Sequence, residues 1–323
     1  MNKRFTPAEV AARTRHMKGI VIEHEQVRRV EQELATRIYE GGAGESNAAA
    51  LTMLVAPSGC GKSKTVEQCN ATLANDPAHS DSALPILYVS LPAQCSIKNM
   101  TTEILRGLKD PLADRHSTTG KNSVRIIDQL RGQKVKLFEI DEFQHLISGK
   151  NVAIHQEATD WLKQLLDGSG VPVVCIGLPE GLGVIARHEQ LRRRTAKVVR
   201  MQPFVWDHDG PESDKFRAFL DVYEGLCEFR EKSNLARYEL AARIFIASDG
   251  LIGTVTQLCR EAARTSMSRD DGPDCMTLED FAEAYAGLPF EKANPFDPTK
   301  KIEEIVDAEP AVSRRAGPRK PKT

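Results

Sequence analysis

The spacing of apolar residues along this chain changes character twice. Residues 7–18 and 24–39 carry helical spacing. Thr6-Pro7 supplies a cap residue followed by proline at the first helical position, and Val27, Val30, Leu34 and Ile38 form one apolar stripe at spacings of three and four. A small, polar stretch at 41–47 reads as a linker. From residue 51 short apolar runs alternate with helical stretches. The runs predict strands at 51–56, 86–90, 135–140, 171–176 and 198–201, and the stretches predict helices at 61–73, 97–107, 123–131 and 153–167. Near-continuous Val, Ile and Leu in short runs between helices predicts an α/β fold whose parallel five-stranded sheet is covered on both faces. After Pro203 the strands stop, and 212–229, 237–247, 252–268 and 277–286 predict a small all-helical unit.

The expected organisation is therefore N-terminal helices and a linker over 1–47, an α/β domain over 48–205, a helical lid domain over 206–289 and a tail over 290–323. From Ser313 the tail holds Arg314, Arg315, Arg319, Lys320 and Lys322 with no acid, a composition that predicts disorder.

Composition changes this picture little. At 323 residues, with 41% hydrophobic and 28% charged positions, the chain is long enough to bury a sizeable core and reads as an ordinary globular protein. No apolar run approaches the roughly 20 residues needed to cross a bilayer, and the first residues lack the apolar core of a signal peptide. A cytoplasmic address without a membrane partner is expected. The seven cysteines are scattered, odd in number and without a CxxC pair, which predicts reduced thiols. A net charge of −1 means that any nucleic-acid contact must come from local basic patches.

The candidate chemistry begins at the first α/β strand. Ala56-Pro57-Ser58-Gly59-Cys60-Gly61-Lys62-Ser63 follows an apolar run and opens a helix, the context a phosphate-binding loop requires. Backbone amides at the start of that helix favour an anion, Lys62 reaches the β- and γ-phosphates, and the Ser63 hydroxyl holds Mg²⁺. Ser58, Gly59, Cys60, Gly61, Lys62, Ser63 and Lys64 are the expected phosphate contacts, with ATP and Mg²⁺ as cofactors. Ala56 stands where the motif usually begins with glycine. Some 80 residues later, Val135 to Ile140 ends in Asp141-Glu142. An acid at that strand end holds Mg²⁺ through water, and a second acid beside it polarises the attacking water as a general base. Paired acids and a helical unit after the sheet favour the AAA+ ATPases over small-molecule kinases and GTPases.

Between the last two strands, Arg187, Arg192, Arg193, Arg194, Lys197 and Arg200 crowd a stretch with one acid, Glu189. An arginine supplied there to a neighbouring subunit would stabilise transition-state charge.

These features together resemble the TniB/TnsC group of transposition regulators, and more distantly MuB. The resemblance spans roughly residues 15–287. It rests on the phosphate loop, on Phe138 to Leu146, on Val173 to Pro179 and on Glu189 to Arg194. It rests further on Ser233-Asn234-Leu235, and on Asp249-Gly250-Leu251-Ile252-Gly253 leading into Arg260-Glu261-Ala262-Ala263. The resemblance implies an AAA+ ATPase that assembles with copies of itself as a ring or filament on double-stranded target DNA. It also implies recruitment of a transposase, and a target-selection protein as a further partner. It maps the arginine finger onto Arg194, with Arg187 as a second basic position. It maps DNA-backbone contacts onto Lys98 and Thr118, with Lys121 adjacent, and an adenine contact onto Val21 and Ile252. At two places the chain departs from the pattern. Gly177-Leu178 replaces a polar first sensor, and Thr254 replaces the second-sensor arginine, so hydrolysis is expected to be slow and assembly-dependent. A clamp-loader or initiator type of AAA+ ATPase, and a nucleotide-switch signalling NTPase without DNA, are the competing functions.

Overall fold

The computed structural model describes residues 5–42, 49–93, 95–115, 117–146, 152–207, 210–269, 271, 274–289 and 293–302. Of the predicted linker, residues 41 and 42 close a helix and the rest lies outside the described residues, as does the basic tail. The chain divides into two compact units, residues 25–201 and residues 1–24 with 202–323. The two N-terminal helices, grouped together above as 1–47, fall on opposite sides of that division.

In the first unit, helix α2 (Glu25–Gly42) lays its predicted stripe inward. Val27, Val30, Leu34 and Ile38 are all buried, against α3 (Lys62–Leu73) and strands β3 (Leu137–Asp141) and β5 (Thr195–Arg200). Glu33 on the same helix accepts from Thr52 of β1 (Leu51–Val55) at 3.0 Å, from Arg37 at 2.8 Å, and pairs with Lys197 at 3.1 Å. Burial raises its pKa, but these partners outweigh burial and bring it below the ordinary value. The helix end runs close to the chain entering β3. A Cβ on Gly41 would stand 1.8 Å from the Lys136 carbonyl oxygen, so only glycine fits there.

The sheet is five-stranded and parallel, in the order β2-β3-β4-β1-β5, with β2 at Ile86–Ser90 and β4 at Val173–Gly177. Strand β4 therefore lies between the strand that leads into the phosphate loop and the strand that carries Asp141. Parallel pairing, with Val55 opposite Gly177 and Ser90 opposite Asp141, brings the carboxyl ends of the strands to one edge. Helices α4 (Ile97–Gly107), α5 (Thr119–Gly132) and α6 (Val152–Ser169) cover it.

Several boundaries differ from the pattern-based expectation. Helix α5 starts at Thr119 rather than 123, because the Thr118 side chain caps it by accepting from the Lys121 amide. The arginine-rich connection contains two short helices, α7 (Gly181–Arg187) and α8 (Glu189–Arg194), and β5 then begins at Thr195.

In the second unit, α1 (Pro7–Gly19) starts from a capping box between Thr6 and Glu9. It packs on α11 (Ile252–Ser268), which packs on α12 (Leu278–Ala286), with α9 (Pro211–Leu226) and α10 (Tyr238–Ser248) completing the unit. Residues 293–302, placed in the tail by composition, are docked onto this unit. Phe296 is fully buried and stacks on Phe281. The buried Arg243 guanidinium donates to the carbonyls of Pro295, Asp297 and Lys300. One aromatic anchor and three carbonyl acceptors outweigh the polar composition. Among the described residues no helix is long and apolar enough to cross a membrane.

Candidate functional site

Strand β1 ends at Val55, and the loop that follows turns through two left-handed glycines, Gly59 (φ 81°) and Gly61 (φ 83°), before α3 begins at Lys62. That conformation suits glycine, and it aims the helix's first amides at the loop. Ala56 takes the usual glycine position without distortion: it is fully buried and its amide donates to the Gly177 carbonyl at 3.1 Å. Lys62 is 7% exposed and folds back across the loop, its Nζ donating to the Ala56 carbonyl at 2.9 Å and that of Pro57 at 3.2 Å. Ser58 is exposed and Cys60 is buried. Burial raises the Cys60 thiol pKa and the nearby Lys62 charge only partly offsets this. Lys64 is exposed and engaged with Glu67 at 2.9 Å. All seven cysteines are free and buried.

Ser63 and Asp141, 78 residues apart in sequence, meet directly. The Ser63 hydroxyl donates to Asp141 Oδ2 at 2.9 Å. Asp141 also accepts from the Tyr88 hydroxyl at 2.6 Å and from the Glu142 amide at 2.7 Å. These two hard oxygens, one from an exposed serine, fit Mg²⁺, which keeps several waters and takes only one or two protein oxygens beside phosphate. One strand position earlier on the same face, Glu139 is fully buried and accepts from Asn70 of α3. Burial pushes its carboxyl up to about 8, the Asn70 bond pulling it down and the Asp141 charge adding to the rise.

Glu142 has a left-handed backbone, φ 57°, uncommon for a residue with a side chain and frequent at functional sites. Its half-buried carboxylate accepts from Gln144 Nε2 and lies 3.6 Å from His145 Nε2. The far end of the Gln144 amide accepts from the Leu178 amide at 3.1 Å. Tyr88 and Gln144 were not singled out in the sequence. An aromatic residue in a strand and a glutamine after an acidic pair carry no local signal of these contacts.

The arginine-rich connection does not offer its members equally. Arg194 is paired with Asp167 of α6, both side chains about two-fifths exposed, and Arg193 with Glu189 at 2.5 Å. Arg187, Arg192 and Arg200 are exposed and, among the described residues, their side chains make no hydrogen bond or ion pair. Val21 and Ile252 belong to the helical unit, where both are half-buried and Ile252 packs against its core.

A second site lies where α4 and α5 begin. Ser96 caps α4, accepting from the Asn99 amide at 3.1 Å, and Thr118 caps α5. Lys98 and Lys121 sit in the first turns of these helices. Together with Arg115, Thr118, Thr119 and Arg125 they line an open cavity of about 860 Å³. Arg125 is held at 2.5 Å by Asp110, whose carboxyl pKa is raised by burial but brought below the ordinary value chiefly by Arg125. Lys98, Arg115 and Lys121 have no side-chain partner among the described residues. Two helix N-termini and four cations make this concavity favourable to anions, phosphates above all. Arg115 escaped the sequence reading, although it stands only three residues before Thr118.

A parallel sheet of this strand order, with the loop after β1, paired acids after β3 and a helical C-terminal part, defines a P-loop protein of the AAA+ ATPase fold class. Solved structures agree. Over 90% of this chain and 72% of theirs, it is similar to the ORC2 protein of Aeropyrum pernix in ADPNP–ADP complexes (13% identity, TM-score 0.59). The same coverage applies to Cdc6p of Pyrobaculum aerophilum (15% identity, TM-score 0.60). It is also similar, over 83% of this chain and 66% of that one, to the Aeropyrum pernix ORC1 protein in complex with DNA (15% identity, TM-score 0.57). No curated protein matches the chain. Residues 16–204, more than half of the chain, match the model of the bacterial TniB protein, and the chain belongs to the TniB family.

Proposed function

We propose that this protein is an ATP-dependent regulator of DNA transposition. It assembles on double-stranded target DNA, engages a transposase, and is released by ATP hydrolysis. The observation that carries the reading is the basic cavity. Lys98, Thr118 and Lys121, the three positions at which the family resemblance implies DNA contact, line one concavity with Arg115 and Arg125. Such a set contacts backbone phosphates without reading bases, as relaxed target choice requires.

At the phosphate loop, bound Mg²⁺ would neutralise charge on the β- and γ-phosphates, with Ser63 and Asp141 holding it. Lys62 exchanges its two carbonyl acceptors for phosphate oxygens when the nucleotide enters. Glu142 takes the proton of the attacking water. Val21 and Ile252 pack against the adenine. Arg194, or the unpaired Arg187, reaches the nucleotide of a neighbouring copy. For Arg194 this means giving up a partly exposed ion pair with Asp167, a cost of about 1 kcal/mol or less.

The experiment is electron microscopy and sedimentation of the protein with duplex DNA, with and without a slowly hydrolysed ATP analogue. Nucleotide-dependent rings or filaments on DNA are expected for the parent and not for Lys98→Glu/Lys121→Glu. Dispersed monomers under both conditions reject the reading. The likeness to Orc and Cdc6 structures favours an initiator-type ATPase as the second reading. It shares nucleotide and DNA with the first and differs in its partner. Failure of the DNA-bound assembly to retain a transposase would favour it.

A further inference from the structure

The end of β4 offers no polar side chain to the acids at the end of β3: its last residue is Gly177 and the next is Leu178. The polar contact comes instead from the other direction. Gln144 sits in the single turn after Glu142, and its side-chain amide spans the gap. Its oxygen accepts the Leu178 backbone amide at 3.1 Å and its nitrogen donates to the Glu142 carboxylate. Only one orientation of the carboxamide satisfies both bonds, since the backbone amide needs an acceptor and the carboxylate needs a donor. Gly177 makes this possible. A Cβ there would stand 2.5 Å from Gln144 Oε1, while the backbone amides of Phe143 and Gln144 would be 3.4 and 3.5 Å away, ordinary contacts. The glycine is not needed for its own backbone, which does not have positive φ. It leaves room for the glutamine.

We infer that Gln144 is the positioning residue for Glu142, tying the carboxylate to the end of β4 through the space left open by Gly177. The inference rests on Glu142 being the group that activates water. A half-exposed carboxylate on a left-handed residue has several rotamers open to it. The Gln144 bond selects one and refers it to the strand that runs directly beside β1. Gly177→Ala acts on the same link from the opposite side. The atom it meets is the tip of a flexible side chain, so the methyl displaces Gln144 and leaves the fold intact.

The test compares the full-length parent with Gln144→Leu, Gly177→Ala, the double variant and Glu142→Gln. Readouts are kcat, affinity for a fluorescent ATP analogue, and melting temperature without nucleotide. Side-chain amide resonances of the nucleotide-free protein give a readout independent of turnover. Glu142→Gln should abolish most turnover. Gln144→Leu and Gly177→Ala should each lower kcat by about tenfold or more, a part of what a general base contributes. Nucleotide affinity and melting temperature should stay near the parent's. The double variant should be no worse than either single one, because both break the same link. In the nucleotide-free protein, Glu142→Gln and Gly177→Ala should each move the Gln144 side-chain amide resonance. Unchanged kcat in Gln144→Leu beside a dead Glu142→Gln overturns the inference and leaves the proposed base standing. So does a parallel loss of kcat, affinity and melting temperature. Full turnover in Glu142→Gln removes the base itself, and the inference with it.

Discussion

The phosphate-loop corner and the basic cavity differ in how their charged groups are held. At the corner the central groups already have partners: Lys62 on two carbonyls, Ser63 on Asp141, Asp141 on three donors, Glu142 on Gln144. In the cavity Lys98, Arg115 and Lys121 have none among the described residues, and only Arg125 is tied down, to Asp110. A site that must place reacting atoms gains from groups that do not reorganise at the moment of reaction. A site that tracks a phosphate backbone gains from long cationic side chains that can adjust, because the attraction is electrostatic and insensitive to sequence. The first should therefore fail sharply on single substitutions, and the second should weaken by increments and in a salt-dependent way.

The largest effect should come from Lys62→Ala, which removes the cation proposed to reach the β- and γ-phosphates. ATP uptake, measured by equilibrium binding, and nucleotide-dependent gathering on DNA should both be lost. Parent-like behaviour of this variant would remove the basis of the contrast. Next, Lys98→Glu and Lys121→Glu should each reduce duplex affinity by about tenfold or more, with ATP binding unchanged. The slope of log affinity against log salt should become shallower by roughly one unit per lost phosphate contact. A salt slope equal to the parent's would show that these lysines face away from DNA. Arg115→Ala should weaken DNA binding several-fold and shift the salt slope in the same sense. Arg125→Ala is a poorer probe, since it also strands the buried Asp110. The smallest effect belongs to Tyr88→Phe, which removes one of three donors to Asp141. A loss of about 1 kcal/mol of stability, read from chemical denaturation, and a modest rise in the Mg²⁺ required for turnover are expected. A large loss of turnover there would mean that Tyr88 does more than hold Asp141.

The phosphate loop could be read from sequence because its requirements are local. Two left-handed positions call for glycine, the lysine and serine must open the helix, and an apolar run must precede them. The stripe Val27, Val30, Leu34 and Ile38 and the Thr6 cap were legible for the same reason, since each lies within one or two helical turns. Ser63 and Asp141 were legible as a pair because a known chemistry requires both. Lys98, Thr118 and Lys121 were named as DNA contacts by family likeness, not by any local pattern, and only the structure places them along one cavity.

Other features were decided by tertiary structure alone. The Tyr88 hydroxyl reaches Asp141 because β2 pairs with β3 in a register that sets Ser90 beside Asp141. Gln144 reaches Leu178 because β4 is inserted next to β3. Arg194 meets Asp167 because α8 packs on α6. Helix α2 joins the sheet while α1 joins the helical unit, and neither the apolar stripe of the one nor the cap of the other says which unit it joins. Residue order along the chain determines backbone conformation over short windows, through sterics and hydrogen bonds between near neighbours. Which side chains complete a site across some 30 to 50 residues depends on strand order and register, and those follow from packing the whole sheet at once.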